Sequence, residues 1–264
     1  VDAARMAIED FGGEVLGQKI ELVAADHQNK PDVGLTVARK WFDVDGVDVI
    51  ADIGNSAVGM GVRNLSIDRK KLVFYAGASS SGFTNEACSP YGTQWSHDTY
   101  MFGTVVPSQL TRDGLTDWYF ITADFTFGHA LEKDARAAIE REGGKIAGSV
   151  KHPSNIADFS SFLLQAASSK AEAVALANAL TDTSNGVKQW NEFNVGSSGK
   201  KLVALTLLLT DVRAIGLDLA QGTTFSTVFY WDLDDKTRAF YAETLPNPKL
   251  EVFPIKEVAD IGRP

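Results

Sequence analysis

Five times along this chain a run of strand-forming residues ends on small, hydroxylated or amide side chains and gives way to a helical pattern. The junctions are Ile50-Ala51-Asp52-Ile53 into Gly54-Asn55-Ser56, Leu72-Val73-Phe74-Tyr75 into Gly77-Ala78-Ser79-Ser80-Ser81, Trp118-Tyr119-Phe120-Ile121 into Thr122-Ala123-Asp124, Val174-Ala175-Leu176-Ala177 into Asn178, and Leu205 to Leu209 into Thr210-Asp211. Strands that alternate with helices imply a mostly parallel sheet with right-handed crossovers, hence an α/β protein. In such sheets ligands lie outside the carboxyl ends of the strands, where helix N-termini present unpaired N–H groups. The same alternation predicts a helix over 4–11, a strand over 19–25 and a helix from Pro31. Strands follow at 48–53, 71–76, 117–122, 145–150, 172–177, 201–209 and 224–230, and helices at 56–69, 101–113, 127–142, 158–169, 182–194, 211–220 and 234–243.

The Ser/Gly/Asn-rich stretch from Gly77 to Thr93 interrupts this rhythm, and a short strand within Gln94–Tyr100 follows it. A fresh βα series opens at Asp117. The expectation is two lobes of similar build, each a mostly parallel sheet flanked by helices. The first covers 1–115 and the second 116–232, with 233–264 as a return segment. Crossings between the lobes fall near 98–116 and 231–236.

Charge and composition remove several function classes. With 34 acidic and 25 basic residues the net charge is −9, which opposes nucleic-acid binding. No apolar run approaches the roughly 20 residues that span a bilayer, so no membrane insertion is expected. Cys88 is the only cysteine, which rules out an internal disulfide and a cysteine-ligated metal site. His27, His97, His129 and His152 lie far apart without metal-ligand spacing and are expected as surface or capping residues. Gly77-Ala78-Ser79-Ser80-Ser81-Gly82 lacks the spacing of a nucleophile elbow. Neither a dinucleotide nor a nucleoside-triphosphate cradle follows any strand. Binding without a cofactor, rather than catalysis, is the remaining reading.

Candidate ligand groups sit at the strand ends. Asn55, Ser56, Ser79, Ser80 and Ser81 combine hydroxyl and amide groups with helix starts, a pattern suited to a carboxylate but equally served by capping and turn formation. Tyr100, Phe125 and Phe127 fall just past strand ends, where aromatic side chains form an apolar wall. Phe74 and Phe229 are assigned to the interior. Asn178, Thr181, Asp182, Thr210 and Asp211 occupy the matching ends in the second half. There an acidic group either caps its helix or meets a ligand ammonium.

Several segments, in order, resemble the periplasmic solute-binding proteins of branched-chain amino-acid-type ABC transporters. They are Val1–Gly13, Asp26-His27-Gln28-Asn29-Lys30-Pro31-Asp32, Asn55-Ser56-Ala57-Val58, Ala87-Cys88-Ser89-Pro90, Thr122–His129, Asp158–Gln165 and Phe229-Tyr230-Trp231-Asp232. The resemblance implies a type I periplasmic-binding fold whose two Rossmann-like lobes close over a ligand at hinge crossings. By position, Ser56, Ser79 and Ser80 resemble the groups that hold the ligand carboxylate, and Phe127 a covering aromatic. Leu180-Thr181-Asp182 and Thr210-Asp211 lie where amino-acid binders carry an aromatic and an acidic residue; no Glu stands at the later place. The implied role is a monomeric extracytoplasmic receptor, its signal peptide removed, that delivers an amino acid or an aromatic or other organic acid to an ABC permease. A sensory module of the same fold is the alternative. The resemblance also places a strand ahead of Val1. It likens Pro254–Val258 to a strand near the family's C-terminus, and Ala259–Pro264 to the loop before Val1. Rearranged or non-contiguous sequence at the two ends is therefore expected.

Overall fold

The computed structural model describes residues 1–228 and 230–244. The order of elements is α1 (Asp2–Phe11), β1 (Glu14–Val15), β2 (Gln18–Lys19), α2 (Pro31–Asp43), β3 (Val49–Ala51), α3 (Ser56–Arg69), β4 (Leu72–Tyr75), a 3-10 turn (Ser81–Thr84), β5 (Gly92–Gln94) and α4 (Thr99–Arg112). It continues with β6 (Asp117–Ala123), α5 (Thr126–Arg141), β7 (Lys145–His152), α6 (Ser160–Ser168), β8 (Ala173–Ala177), α7 (Thr181–Glu192), β9 (Lys201–Ala204), α8 (Leu209–Ile215), α9 (Leu217–Ala220), β10 (Thr223–Phe225) and α10 (Asp235–Thr244). Two parallel sheets carry the two lobes, with strand order β3-β4-β5 in the first and β10-β9-β8-β6-β7 in the second.

The second sheet shows why its sequence reads so clearly as strand. In β6 Trp118 and Phe120 point to one core while Tyr119 and Ile121 point to another, and all four are buried. The same alternation runs through Ala173–Ala177 and Leu202–Leu205, so helices must cover both faces. α6, α7 and α8 cover one face. On the other, α4 brings Phe102 and α5 brings Leu131, Ala135 and Ile139 against Trp118 and Phe120. Helix α4, counted above with the first lobe, therefore packs into the core of the second. In the first lobe α2 and α3 bury Ala38, Phe42, Val58 and Val62 against Ile50, Val73 and Tyr75.

Some expected elements differ. The strand expected over 19–25 is confined to Gln18–Lys19, which pairs with Glu14–Val15 across a tight turn at Leu16 and Gly17. Beyond it, Leu22 and Val23 stay exposed, because no strand among the described residues offers Ile20–Ala25 a ladder. In place of 48–53, β3 ends at Ala51, since Asp52 takes a left-handed conformation at φ 55. The strand expected over 201–209 stops at Ala204, and α8 begins at Leu209. The helix expected over 211–220 is broken at Gly216, which has φ 94. The strand expected over 224–230 is Thr223–Phe225 in the described part. Phe229 and the segments 254–258 and 259–264 lie outside the described residues.

Gly128 fixes the β6–α5 junction. A Cβ there would lie 2.2 Å from the Ala123 carbonyl oxygen and 3.1 Å from that of Ala177, both backbone atoms. Gly128→Ala is expected to destabilise the protein by about 3 kcal/mol, at the upper end of ordinary overpacking, because both carbonyls are backbone atoms that cannot swing aside as a side chain would, and that of Ala123 also accepts the Phe125 N–H. Urea unfolding of the two proteins measures the difference.

Candidate functional site

In the first lobe two strand ends meet. A Cβ on Gly77 would fall 3.0 Å from the Gly54 Cα and from the Ile53 carbonyl oxygen, so the chain leaving β4 presses on the chain leaving β3. That approach brings the serines together. Asn55 caps α3, its Oδ1 accepting the N–H groups of Ala57 (2.8 Å) and Val58 (3.1 Å). Ser56 Oγ accepts the Ser80 N–H at 3.2 Å, and Ser80 Oγ accepts the Gly82 N–H at 3.3 Å. Ser79 Oγ donates to the Gly77 carbonyl at 3.0 Å. All three serines are buried. Ser56 and Ser80 act as acceptors in these bonds, so each hydroxyl keeps its proton, whereas that of Ser79 is engaged.

This serine shelf is fastened to the chain that crosses toward the second lobe. Trp95 N–H bonds to the Tyr75 carbonyl (2.9 Å), Ser96 Oγ to that of Ala76 (2.6 Å), Gln94 Nε2 to that of Ala78 (3.2 Å) and Thr99 N–H to that of Ser79 (2.8 Å). His97 in this crossing is half-buried against the edge of Phe102, with centroids 4.7 Å apart, and burial pushes its imidazole pKa down. Tyr100 is 54% exposed. It borders a recess of about 260 Å³ together with Ser81, Thr84, Asn85, Asp98 and Asp134. Two carboxylates on its wall make that recess a poor home for an anion.

In the second lobe Phe125 and Phe127 stack with centroids 6.2 Å apart, and Phe127 also packs on the core beside Phe102. Asn178 is fully buried and its side chain is shared out. Its amide nitrogen lies 3.2 Å from His152 Nε2, and its Oδ1 accepts from the Thr183 hydroxyl at 2.8 Å. The Asn178 carbonyl also accepts from Thr206 Oγ1. His152 Nδ1 faces the Pro153 carbonyl at 2.8 Å, which assigns the proton to Nδ1 and leaves Nε2 to accept from Asn178. Rather than the surface or capping residue expected, His152 is wholly enclosed, its ring edge-on to Phe159 and Phe162. Strand alternation carries the reason: position 152 shares a face with Val150, which packs into the core.

Asp182 is buried, and its oxygens accept the backbone N–H groups of Asn155 and Ile156, each at 3.0 Å. Thr181 and Thr210 are exposed. Asp211 is half-buried and reaches back to the Leu208 N–H at 3.0 Å; burial pushes its carboxyl pKa up, against the lowering effect of that bond. Leu180, which immediately precedes α7, is 63% exposed with φ 57, a strained conformation for an apolar side chain.

Thus the structure joins Ser56 to Ser80 and Phe125 to Phe127. Among the described residues no hydrogen bond or ring contact joins the first-lobe serines to Phe125, Phe127, Asn178, Thr181, Asp182, Thr210 or Asp211. Sequence reasoning missed Thr183 and Thr206, which complete the Asn178 network, and Thr99 and Asp134, whose hydroxyl and carboxylate groups meet Ser81 at the interlobe seam. Only the strand alternation at 152 offered a signal for any of this. Among the described residues no group of three or more His, Cys, Asp or Glu side chains is placed to hold a metal ion.

Comparison with known proteins agrees with this architecture. The family model for periplasmic binding proteins matches residues 1–244. A solved periplasmic binding protein of Burkholderia mallei superposes with a TM-score of 0.88 at 40% identity, over 94% of this chain and 66% of its own. A branched chain amino acid ABC transporter periplasmic ligand-binding protein of Burkholderia xenovorans is also 40% identical, with a TM-score of 0.72, over 92% of this chain and 66% of its own. An ABC-transporter solute binding protein of R. palustris solved with benzoate shares the fold at 18% identity, with a TM-score of 0.82, over 94% of this chain and 69% of its own. No curated protein matches. The chain belongs to the periplasmic binding protein family and has its type I fold, and it spans 66% of the length of the two Burkholderia proteins.

The Asn178 network yields a stability test. Asn178→Leu keeps the volume but leaves His152 Nε2 and the Thr183 hydroxyl buried without partners, and a cost of about 2–4 kcal/mol is expected. Chemical denaturation should show it as a lower midpoint with an unchanged slope.

Proposed function

We propose that this chain forms the ligand-capturing part of an extracytoplasmic receptor that holds a small carboxylate-bearing molecule between its lobes and passes it to an ABC importer. The observation that carries the reading is the Ser56–Ser80 pair: two buried hydroxyls with protons to donate, at neighbouring strand ends beside the start of α3. A carboxylate accepts such donors and is favoured by the positive end of the helix dipole. Because the serines are almost inaccessible, a ligand reaches them when the lobes part and is desolvated when they close. The first lobe is taken to end at the crossing before α4, which packs with the second lobe, the latter running to 232; 233–264 is taken as the return segment and the receptor as a monomer.

The ligand is an aromatic or other organic acid in preference to an amino acid. A ligand ammonium needs a free carboxylate, but both oxygens of Asp182 are engaged by backbone N–H groups, and Asp211 is bonded to Leu208 and disfavoured as an anion by burial. Phe125, Phe127 and Tyr100 supply aromatic surface for a ring. Solved neighbours of this fold hold benzoate, 4-hydroxybenzoate and 3,4-dihydroxybenzoic acid, which supports testing this class first.

Thermal-shift and calorimetric titration with benzoate, 4-hydroxybenzoate, succinate and leucine tests the proposal. An aromatic acid is expected to stabilise the protein, by ~2.7 kcal/mol at a hundred times its Kd, and leucine is not. Tight leucine binding without aromatic-acid binding would reverse the choice of class. For the acid that binds, Ser56→Ala and Ser80→Ala should each weaken affinity roughly ten- to hundredfold, equivalent to ~1.5–3 kcal/mol, and Ser79→Ala less. Unchanged affinity in both Ser56→Ala and Ser80→Ala would remove the carboxylate assignment.

A further inference from the structure

We infer that Asp134 is a positioning residue that clasps the interlobe joint: a carboxylate on a second-lobe helix that sets the resting angle of the first-lobe serine shelf through Ser81, without touching a ligand. Asp134 lies in α5. Helix α4 runs flush against it, since a Cβ on Gly103 would fall 2.8 Å from the Ala135 nitrogen and 3.1 Å from the Asp134 Cβ. With so little space between them, α4 and α5 move as one body, and Thr99 at the start of α4 moves with them. A single oxygen of Asp134, Oδ2, accepts two hydroxyls: Thr99 Oγ1 at 2.6 Å and Ser81 Oγ at 2.7 Å. Thr99 Oγ1, having given its proton to Asp134, accepts the Ser81 N–H at 2.9 Å.

The result is a closed triangle in which Ser81 is held twice by the α4–α5 body. Ser81 follows directly on Ser79 and Ser80, so holding it holds the shelf. Both hydroxyl residues are buried and Asp134 is partly so, and short hydroxyl–carboxylate bonds in such a setting are stronger than neutral ones. By contrast the Lys133–Glu86 pair on the same seam, 3.3 Å apart with both side chains about two-thirds exposed, contributes little. The covalent crossing between β5 and α4, Trp95 to Asp98, has no regular structure that would fix an angle by itself. A few irregular residues of this kind are what hinges are made of. Thr99 N–H also reaches the Ser79 carbonyl across this joint, and the bond from Ser81 to Asp134 is the charge-assisted member of the set, so the two together set how far the joint turns before a ligand arrives.

The test needs no ligand and is independent of which acid, if any, binds. In a Cys88→Ser background, spin labels at Asp68→Cys on α3 and Lys170→Cys between α6 and β8, both exposed positions, report the interlobe distance by pulsed electron paramagnetic resonance. The parent should give one narrow distribution. Ser81→Ala and Asp134→Leu should each broaden it and shift it to longer distances, while Asp134→Asn, which keeps an acceptor oxygen but loses the charge, should fall between the parent and Asp134→Leu. Circular dichroism confirms that each sample is folded. Should Asp134→Leu fail to fold, Ser81→Ala, which removes one hydroxyl, decides alone. A folded Ser81→Ala protein with the parent's distribution overturns the inference.

Discussion

The central strand β6 is bonded on both edges, to β7 and β8, and covered on both faces, and the rest of the molecule is placed by reference to it. Its carboxyl end runs through Asp124 and Phe125 into α5, with Gly128 set so tightly on the Ala123 carbonyl that the helix has one available seat. Helix α5 seats α4, and the two together hold Thr99 and Asp134 where the serine shelf arrives. Position is thus handed from a fully buried strand, through backbone contact, to a hydroxyl group in the other lobe. Each transfer depends on close packing, which deforms little.

Polar groups at the strand ends divide into two kinds. Asn178, His152, Thr183 and Thr206 satisfy one another inside the second lobe, and a network closed in this way adds rigidity and specificity of packing. Ser56 and Ser80 are different because each accepts a bond and still has one to give. The difference is a matter of hydrogen-bond arithmetic: two residues of the same type, or an amide and a hydroxyl, become framework or site according to whether a proton is left over.

Most of the fold was legible in the sequence because fully buried strands and capped helices carry their instructions locally. Trp118–Ile121 is buried on both faces, and the helix expected over 56–69 has those limits, set by Asn55 at one end and left-handed Lys70 at the other. What could not be read depends on partners far away in the chain. Ile20–Ala25 has the composition of a strand, but a ladder belongs to two segments. Asp182 begins a helix, yet its oxygens serve Asn155 and Ile156 across 27 and 26 residues. The serines' location at strand ends was visible from the pattern. Their bonding to one another, and the reach of Asp134 to Ser81 over 53 residues, was not.

Asp52 has an effect beyond ending β3. The outer edge of that strand carries no neighbour among the described residues, and an open edge invites pairing with another molecule. Asp52, at φ 55, still gives its N–H to the Phe74 carbonyl but ends the regular strand, which limits the edge to three residues. So short an edge offers too few backbone donors and acceptors to template a lasting intermolecular ladder. Among the described residues, the conformation of Asp52 therefore sets how much of the β3 backbone stays open for pairing.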